Sequence, residues 1–149
     1  MMEKMKMMLV DDEERFLATT RKLLEKKGYD VLTATSGAEG LELLRTNRVH
    51  VVILDVKMPG MDGVATLREI KRQFPMVEVI MLTGHATVDS AVEGMKSGAV
   101  DYLMKPADLE EIVAKATDAF KRRTDVEERI RVARMRNLMK SPREIIERA

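Results

Sequence analysis

Four short apolar runs of this 149-residue chain each end in side chains that could take part in chemistry. The residues at these points are Asp11 with Asp12, Asp55, Thr83 and Lys105. Taken singly, each has a common structural explanation, because an aspartate or threonine after a strand is often a turn or cap residue. A single lysine is often ordinary surface charge. Their joint occurrence at the same end of different runs instead indicates one shared site.

Carboxylates, a hydroxyl and an ammonium group are together the components of a phosphoryl-transfer site. Like charges within a few ångströms of one another are unfavourable unless a cation joins them. All-oxygen ligands in an open loop site suit Mg²⁺, which keeps several waters and usually shares its ligands with a phosphate. A lysine and a threonine on the same rim supply a charge and a hydrogen bond for an anion. A carboxylate in such a site can act as the nucleophile.

The elements that must hold these residues are five strands alternating with five helices. Apolar runs at 6–10, 30–34, 51–54, 77–82 and 100–104 are separated by segments of helical period at about 13–27, 37–46, 63–73, 87–97 and 108–122. This alternation predicts an α/β fold, a doubly wound five-stranded parallel sheet. Ligands of such sheets bind at the carboxyl ends of the strands, which is where the polar residues stand.

Local signals support these boundaries. Ser36 and Glu39 have the spacing of a capping box at the start of the second helix. Gly28 and Gly98 fall where the first and fourth helices should end. Of the 13 methionines, three fit core positions and need no cofactor to explain them: Met81, Met95 and Met104.

Composition excludes several other classes of site. The chain has no cysteine and only two histidines, so disulfides and thiolate metal sites are excluded and a histidine-based zinc site is disfavoured. Neither nucleotide-binding glycine motif, GxxxxGK[ST] or GxGxxG after a strand, occurs. No apolar run approaches the roughly 18 residues of a membrane span, and the start lacks a signal peptide pattern. These features predict a soluble cytoplasmic protein without a membrane partner.

Charge and pattern divide the chain at about residue 122. Residues 1–120 hold 16 Lys and Arg against 20 Asp and Glu, whereas residues 121–149 hold 10 against 5. We therefore predict a main domain at 1–122 and a basic helical tail at 123–149. The tail has a weak apolar stripe and a second helix start at SPRE, which predicts one helix of about 12–15 residues and a stub. Two such helices cannot form a core of their own.

The tail has three uses that the sequence leaves open. It could pack on the main domain, contact nucleic acid through its basic residues, or support a homodimer with Val126, Ile130 and Ala133 at the interface. DNA binding is the least favoured, because a helix-turn-helix unit needs a small core of about three helices.

Four segments together resemble the receiver domain of two-component response regulators. They are LVDDEE at 9–14, LDVKMPGMDG at 54–63, MLTGHA at 81–86 and YLMKP at 102–106. Their order and spacing cover residues 6 to 122, and the later segments are most similar to receivers of the nitrogen-regulator type. The resemblance implies a flavodoxin-like strand order 2-1-3-4-5, followed by a C-terminal helical extension.

The resemblance also implies a role for each matching residue. Asp55 would be the phosphoacceptor, taking a phosphoryl group from a phosphohistidine of a sensor histidine kinase. Asp12, Asp55 and the backbone carbonyl of Lys57 would bind Mg²⁺, and Asp11 would assist indirectly.

At the other side of the site, Lys105 would contact the phosphoryl oxygens and Thr83 would follow them with its hydroxyl. Tyr102 matches the aromatic switch position, and the peptide bond before Pro106 is expected to be cis. The expected surface for a downstream protein includes Val92, Met95, Tyr102 and Leu109.

The resulting functional prediction is a phosphoaccepting switch that signals by protein contact. One alternative is the amino-terminal part of a transcription regulator whose output domain is absent. Another is a phosphatase that forms an aspartyl phosphate. Such phosphatases of the haloacid-dehalogenase kind carry a second aspartate two residues after the nucleophile, and here that residue is Lys57. We therefore expect at most slow self-dephosphorylation rather than enzymatic turnover.

Overall fold

A computed structural model describes residues 4–56, 63–84 and 88–139, with only the backbone described at 88–91. The predicted role of the Lys57 carbonyl and the predicted helix start at SPRE therefore lie outside the described residues.

Five parallel strands form one sheet in the order β2-β1-β3-β4-β5. Their bounds are β1 Lys6–Val10, β2 Asp30–Ala34, β3 Val51–Asp55, β4 Glu78–Thr83 and β5 Asp101–Met104. Two of the three interior strands, β3 and β4, are buried along their whole length, as expected for parallel strands covered on both faces. The predicted doubly wound fold and its strand order are confirmed.

The helices cover the two faces of the sheet. Their bounds are α1 Glu14–Lys26, α2 Gly37–Thr46, α3 Gly63–Gln73, α4 Val88–Lys96 and α5 Leu109–Met139. Successive strand residues point to opposite faces, so Met8 belongs to the core under α2 and α3, while Met7 belongs to the core under α1 and α5.

Helix α5 is longer than the sequence predicted. The expected end near residue 122 is wrong, because α5 continues without a break to Met139 and is 31 residues long. The chain has no glycine or proline between Leu109 and Met139 to end the helix. Just past the predicted end, the hydroxyl of Thr124 donates to the carbonyl of Phe120 at 2.9 Å, within the helix.

Most local predictions agree with the structure. The hydroxyl of Ser36 accepts a hydrogen bond from the backbone N–H of Glu39 at 3.2 Å, and Gly28 and Gly98 have positive φ. Met81 is buried at 2% exposure, but the core assignment of Met95 and Met104 is wrong, since they are 45% and 48% exposed. Both lie toward the β5 edge of the sheet, where periodicity alone does not distinguish a covered face from an open one. Within the described ranges, none of the helices combines the length and the hydropathy of a membrane span.

Candidate functional site

The two aspartates in the site's interior are delivered by neighbouring strands. In the register of β1 and β3, Val10 pairs with Leu54, so the residue after each, Asp11 and Asp55, stands at the same edge of the sheet. Asp55 is itself the last residue of β3. Because these strands lie inside the sheet, the two carboxylates are nearly inaccessible, at 1% and 4% exposure.

Asp12 completes an acidic cluster with these two residues. One carboxylate oxygen from each of Asp11, Asp12 and Asp55 lies within 4.8 Å of the other two. Asp12 is exposed, so the cluster opens to solvent on that side. Three carboxylates with access to water fit the chemistry of Mg²⁺, a hard cation that takes oxygen ligands and retains several waters.

Lys105 joins this cluster from the end of β5. Its ammonium nitrogen is 2.7 Å from Asp11 Oδ2 and 3.6 Å from Asp55 Oδ2. The backbone N–H of Lys105 donates to the carbonyl of Thr83 at 2.8 Å, which fixes the start of the loop beside β4. The Lys105–Pro106 peptide bond is cis.

The charges around Lys105 favour its protonated form. Burial of the ammonium group would lower its pKa, but the hydrogen bond and charge of Asp11, assisted by Glu13 and Asp55, outweigh burial and raise the pKa. The lysine is therefore a permanent cation at neutral pH, suited to contact an anion.

Glu13 is a member of the site that the sequence analysis did not identify. Its Oε1 lies 3.2 Å from the ammonium nitrogen of Lys105, although the side chain is 63% exposed. Its backbone N–H donates to Asp11 Oδ1 at 2.9 Å. The only signal in the sequence was the run of four acids at 11–14, which does not tell which of them turns toward the site.

The other two predicted residues lie at different depths. Thr83 is the last residue of β4 and is 8% exposed, at the same edge of the sheet as the acidic cluster. Tyr102 lies on β5, the edge strand, and is 40% exposed. Lys115 lies above the tyrosine ring, 5.9 Å from its centroid, and forms an ion pair with Asp101 at 3.0 Å. Tyr102 therefore faces outward, away from the carboxylates.

The predicted partner surface is an exposed apolar area around this tyrosine. Val92 and Met95 are each 45% exposed, Leu109 is half-buried, and Met104, which was not predicted for this surface, is 48% exposed. Isolated exposed apolar residues are normal, but several on adjoining elements suit a protein contact.

A second charged cluster, which the sequence analysis also missed, lies at the opposite edge of the sheet. Glu78, at the start of β4, is 8% exposed and accepts hydrogen bonds from the guanidinium of Arg123. Lys71 lies 3.7 Å from the same carboxylate and donates to the carbonyl of Val77 at 2.7 Å. Burial lowers the pKa of Lys71, only partly offset by the charge of Glu78. This cluster joins α3, β4 and α5.

Comparison with protein families gives one match that covers most of the chain. The model of the response regulator receiver domain matches residues 7–117.

Two curated relatives are transcription regulators of much greater length. The transcriptional regulatory protein ZraR of Escherichia coli K12 is 41% identical over 107 residues, which are 72% of this chain and 24% of that protein. The DNA-binding transcriptional regulator NtrC of Klebsiella pneumoniae is 42% identical over 106 residues, 71% of this chain and 23% of that protein. The chain thus spans about a quarter of the length of these relatives.

Solved structures agree with the sequence comparisons. A response regulator receiver domain protein from Clostridium thermocellum has a TM-score of 0.77 at 40% identity, over 82% of this chain and 98% of that one. NtrX from Brucella abortus has a TM-score of 0.81 at 27% identity, over 87% of this chain and 30% of that one.

Proposed function

The chain belongs to the response regulator receiver domain family, and from this premise we propose that Asp55 is its phosphoacceptor. Receivers of this family are phosphoaccepting switches of two-component signalling. The phosphoryl donor would accordingly be the phosphohistidine of a sensor histidine kinase.

One observation carries the assignment to Asp55. Three carboxylates and one ammonium group, from residues far apart in the chain, converge at the carboxyl edge of the sheet. Within this group Asp55 is near both kinds of charge: one of its oxygens lies within 4.8 Å of oxygens of Asp11 and Asp12, and its Oδ2 is 3.6 Å from the Lys105 ammonium. A phosphoryl group on Asp55 would therefore contact both a metal site and a cation. Such an arrangement combines a nucleophile with charges that stabilise the transferred group.

The metal we propose is Mg²⁺, held by Asp12 and Asp55 with the backbone carbonyl of Lys57, while Asp11 assists indirectly. When bound, it would neutralise charge on the phosphoryl oxygens and on the carboxylates themselves. Lys105 would then exchange part of its contact with Asp11 for the phosphoryl oxygens.

Transmission of the signal would pass from Thr83 toward β5. Phosphorylation adds about −1.5 to −2 charges and new acceptor oxygens, which the Thr83 hydroxyl would follow. Tyr102 would move inward in response, away from Lys115, and change the exposed surface of Val92, Met95 and Leu109. A downstream protein that reads this surface would receive the signal.

A second candidate concerns the output of the switch. ZraR and NtrC are named as transcription regulators, and this chain is similar to only about a quarter of each. The chain could accordingly act as the receiver part of such a regulator. A gel-shift assay of the full chain, with and without phosphorylation, tests direct DNA contact, for which we expect no shift.

The central test is labelling with a small phosphodonor in the presence of Mg²⁺. We expect stoichiometric incorporation of one phosphoryl group that is absent from Asp55→Asn, while Glu14→Gln, a nearby exposed acid, labels normally. Rapid release of many equivalents of phosphate would contradict the switch and support the phosphatase alternative. Labelling that survives in Asp55→Asn would remove the assignment of the nucleophile.

Self-association through residues 123–149 also stays a prediction. Light scattering of the chain with and without residues 124–149, before and after phosphorylation, measures it directly. The mass of a single chain in all four states would exclude the dimer.

A further inference from the structure

The face that α5 buries against the sheet continues beyond the main domain. Ile112, Ala116 and Ala119 are at most 1% exposed, and they are spaced by four and three residues. The same spacing continues along the helix through five further positions: Arg123, Val126, Ile130, Ala133 and Asn137. Alternate spacings of three and four are those of a helix that packs against another helix.

The main domain stops covering this face at Arg123. That residue bonds Glu78 and the carbonyl of Pro75 at the amino edge of the sheet. Farther along the same face, Val126 and Ile130 are 37% and 43% exposed. We call the exposed continuation of this face, Val126, Ile130, Ala133 and Asn137, the seam.

Arginines border the seam on both sides. Arg129 and Arg136 each precede a seam residue, and Arg134 follows one. The three therefore occupy the flanking positions whose charges determine partner specificity in coiled coils. None of the three has a hydrogen bond or ion pair with another described residue. By contrast Arg131, on the outer side of the helix, is paired with Glu128 at 2.6 Å.

These arginines are not explained by the helix alone. Cations in the last turn interact favourably with the helix dipole, which accounts for Arg136 but not for Arg129 or Arg134. From residue 129 to residue 139 the helix has four arginines and no acidic residue. Val126, Ile130 and Ala133 therefore form a narrow apolar strip, and every charged residue that borders the seam beyond Glu127 is an arginine.

A second copy of the chain is a poor occupant of this strip. In a parallel pair Arg129 would face the copy's Arg134, and in an antiparallel pair it would face the copy's Arg136. Glu127 would face the copy's Arg122 in the parallel pair and its Arg134 in the antiparallel pair, so the flanking charges of a homodimer cancel and give no net attraction, whereas an acidic partner helix would attract every arginine. A parallel pair would also bring the two main domains together, since each lies on the same side of its helix as the seam.

Lipid and nucleic acid fit less well than a protein helix. The strip is as narrow as a coiled-coil interface, and residues 121–139 contain no aromatic side chain to enter a membrane surface. Phosphates of nucleic acid would use the arginines but leave the apolar strip uncovered. An amphipathic helix with acidic flanks would cover the strip and neutralise both borders.

We propose that the seam and its three arginines dock a helix of another protein that has an apolar stripe bordered on both sides by Asp or Glu. The site is distinct from Asp55 and does not rest on the phosphoacceptor assignment. Its occupancy would stabilise a helix that otherwise extends from the domain with little cover.

The test uses fluorescent three-heptad peptides and the full chain. One peptide carries Leu at the two interface positions of each heptad and Glu at the flanking positions, a second has Lys in place of Glu, and a third has Ala in place of Leu. We expect the Leu/Glu peptide to bind about tenfold or more tightly than either other peptide, as measured by anisotropy, since several rim ion pairs and the apolar contact act together.

Matched variants separate the seam from general charge. Replacing Arg129, Arg134 and Arg136 together by Glu should reverse the preference in favour of the Lys peptide, and Ile130→Asp should weaken the Leu/Glu peptide by about tenfold. Lys121→Glu, on the outer side of the same helix, should leave binding within about threefold. Circular dichroism and urea unfolding of each variant verify folding without relying on Asp55 labelling.

Several outcomes would overturn the proposal. Equal binding of the Glu and Lys peptides, or no effect of the triple variant, would exclude charge-matched docking. A dimeric mass for the wild-type chain that Ile130→Asp abolishes would assign the seam to a second copy. Displacement of the peptide by duplex DNA or by phosphatidylglycerol vesicles, with binding of the competitor unaffected in Ile130→Asp, would assign the arginines to phosphates. Failure of Asp55 labelling would leave all of these readings unchanged.

Discussion

Two charged clusters lie at opposite edges of the same sheet, and they differ in their balance of carboxylates and cations. At the carboxyl edge, Lys105 is the one close cation that the described residues supply to the carboxylates of Asp11, Asp12 and Asp55. At the amino edge one carboxylate, Glu78, lies between two cations. Burial is similar, with Asp55 4% and Glu78 8% exposed, so burial alone does not distinguish the two clusters.

The difference in charge balance suggests different roles. The acidic cluster suits the binding of a ligand, whereas the Glu78 cluster suits the stabilisation of the fold. The acidic cluster has an excess of negative charge and an open side at Asp12, so a metal cation would improve it. In the Glu78 cluster the protein itself supplies the cations, because Arg123 and Lys71 both contact Oε1 of the carboxylate. Substitutions should therefore act mainly on ligand binding at one edge and mainly on stability at the other.

The largest effect on stability is expected for Glu78→Gln. The change removes the negative charge between Lys71 and Arg123 and leaves two partly buried cations facing each other, at a cost of roughly 2–3 kcal/mol. This loss of stability is smaller than for a fully buried pair because the side chains of Lys71 and Arg123 are 22% and 23% exposed. Urea unfolding measures it, and phosphoryl labelling at Asp55 should persist.

The control for this prediction is Glu93→Gln. Glu93 pairs with Arg68 at 3.4 Å, but both side chains are more than half exposed, so no resolvable loss is expected. An equal loss in the two variants would mean that charge balance at Glu78 is not what stabilises the amino edge.

The next effect concerns metal binding. Asp12→Asn removes the exposed carboxylate of the acidic cluster, and we expect Mg²⁺ affinity to fall by about tenfold, or 1.4 kcal/mol. Titration calorimetry provides the measurement, with Glu14→Gln as the matched acid outside the cluster. Unchanged affinity in Asp12→Asn would exclude Asp12 as a ligand.

A smaller effect of opposite sign is expected for Asp55→Asn. Without divalent metal, removing one of several close carboxylates should raise the free energy of unfolding by up to about 1 kcal/mol, because like-charge repulsion falls. Loss of the 3.6 Å contact with Lys105 limits the gain. Urea unfolding in the presence of a chelator tests the sign. A clear loss of stability would instead show that the Asp55 carboxylate, like that of Glu78, stabilises the fold.

The smallest effect is expected at an exposed ion pair. The hydrogen bond from Arg72, with a second from Gln73, lowers the pKa of Glu69 from 4.5 to about 2. A depressed pKa stabilises the fold above pH 4.5 and loses that contribution as pH falls toward 2. In Arg72→Ala we expect the pKa to rise toward its ordinary value by NMR titration. Stability at neutral pH should fall only slightly, because solvent screens an ion pair whose Arg72 side chain is 69% exposed.

Much of this molecule could be predicted from local sequence. Strand and helix periods gave the doubly wound fold, and the motifs around Asp11, Asp55, Thr83 and Lys105 identified the receiver family, both of which are confirmed. They succeed because each apolar run ends at its polar residue, and in a parallel sheet that end is shared by all strands.

Contacts between distant residues could not be predicted in this way. Glu13 reaches Lys105 across 92 positions, and Arg123 reaches Glu78 across 45. Nothing in the local sequence of these residues differs from an ordinary exposed charge. The exposure of Met95 and Met104 was misjudged for a similar reason, since burial depends on what packs against a face.

The sequence by itself determined the chemistry of this protein, because residue type and strand position decide which groups meet at the carboxyl edge. Only the tertiary structure decided which charges are balanced, how far α5 continues past residue 122, and which face of that helix is left exposed. Those properties depend on contacts made across the fold, where Arg123 closes the amino edge and the same helix face continues past it as the seam.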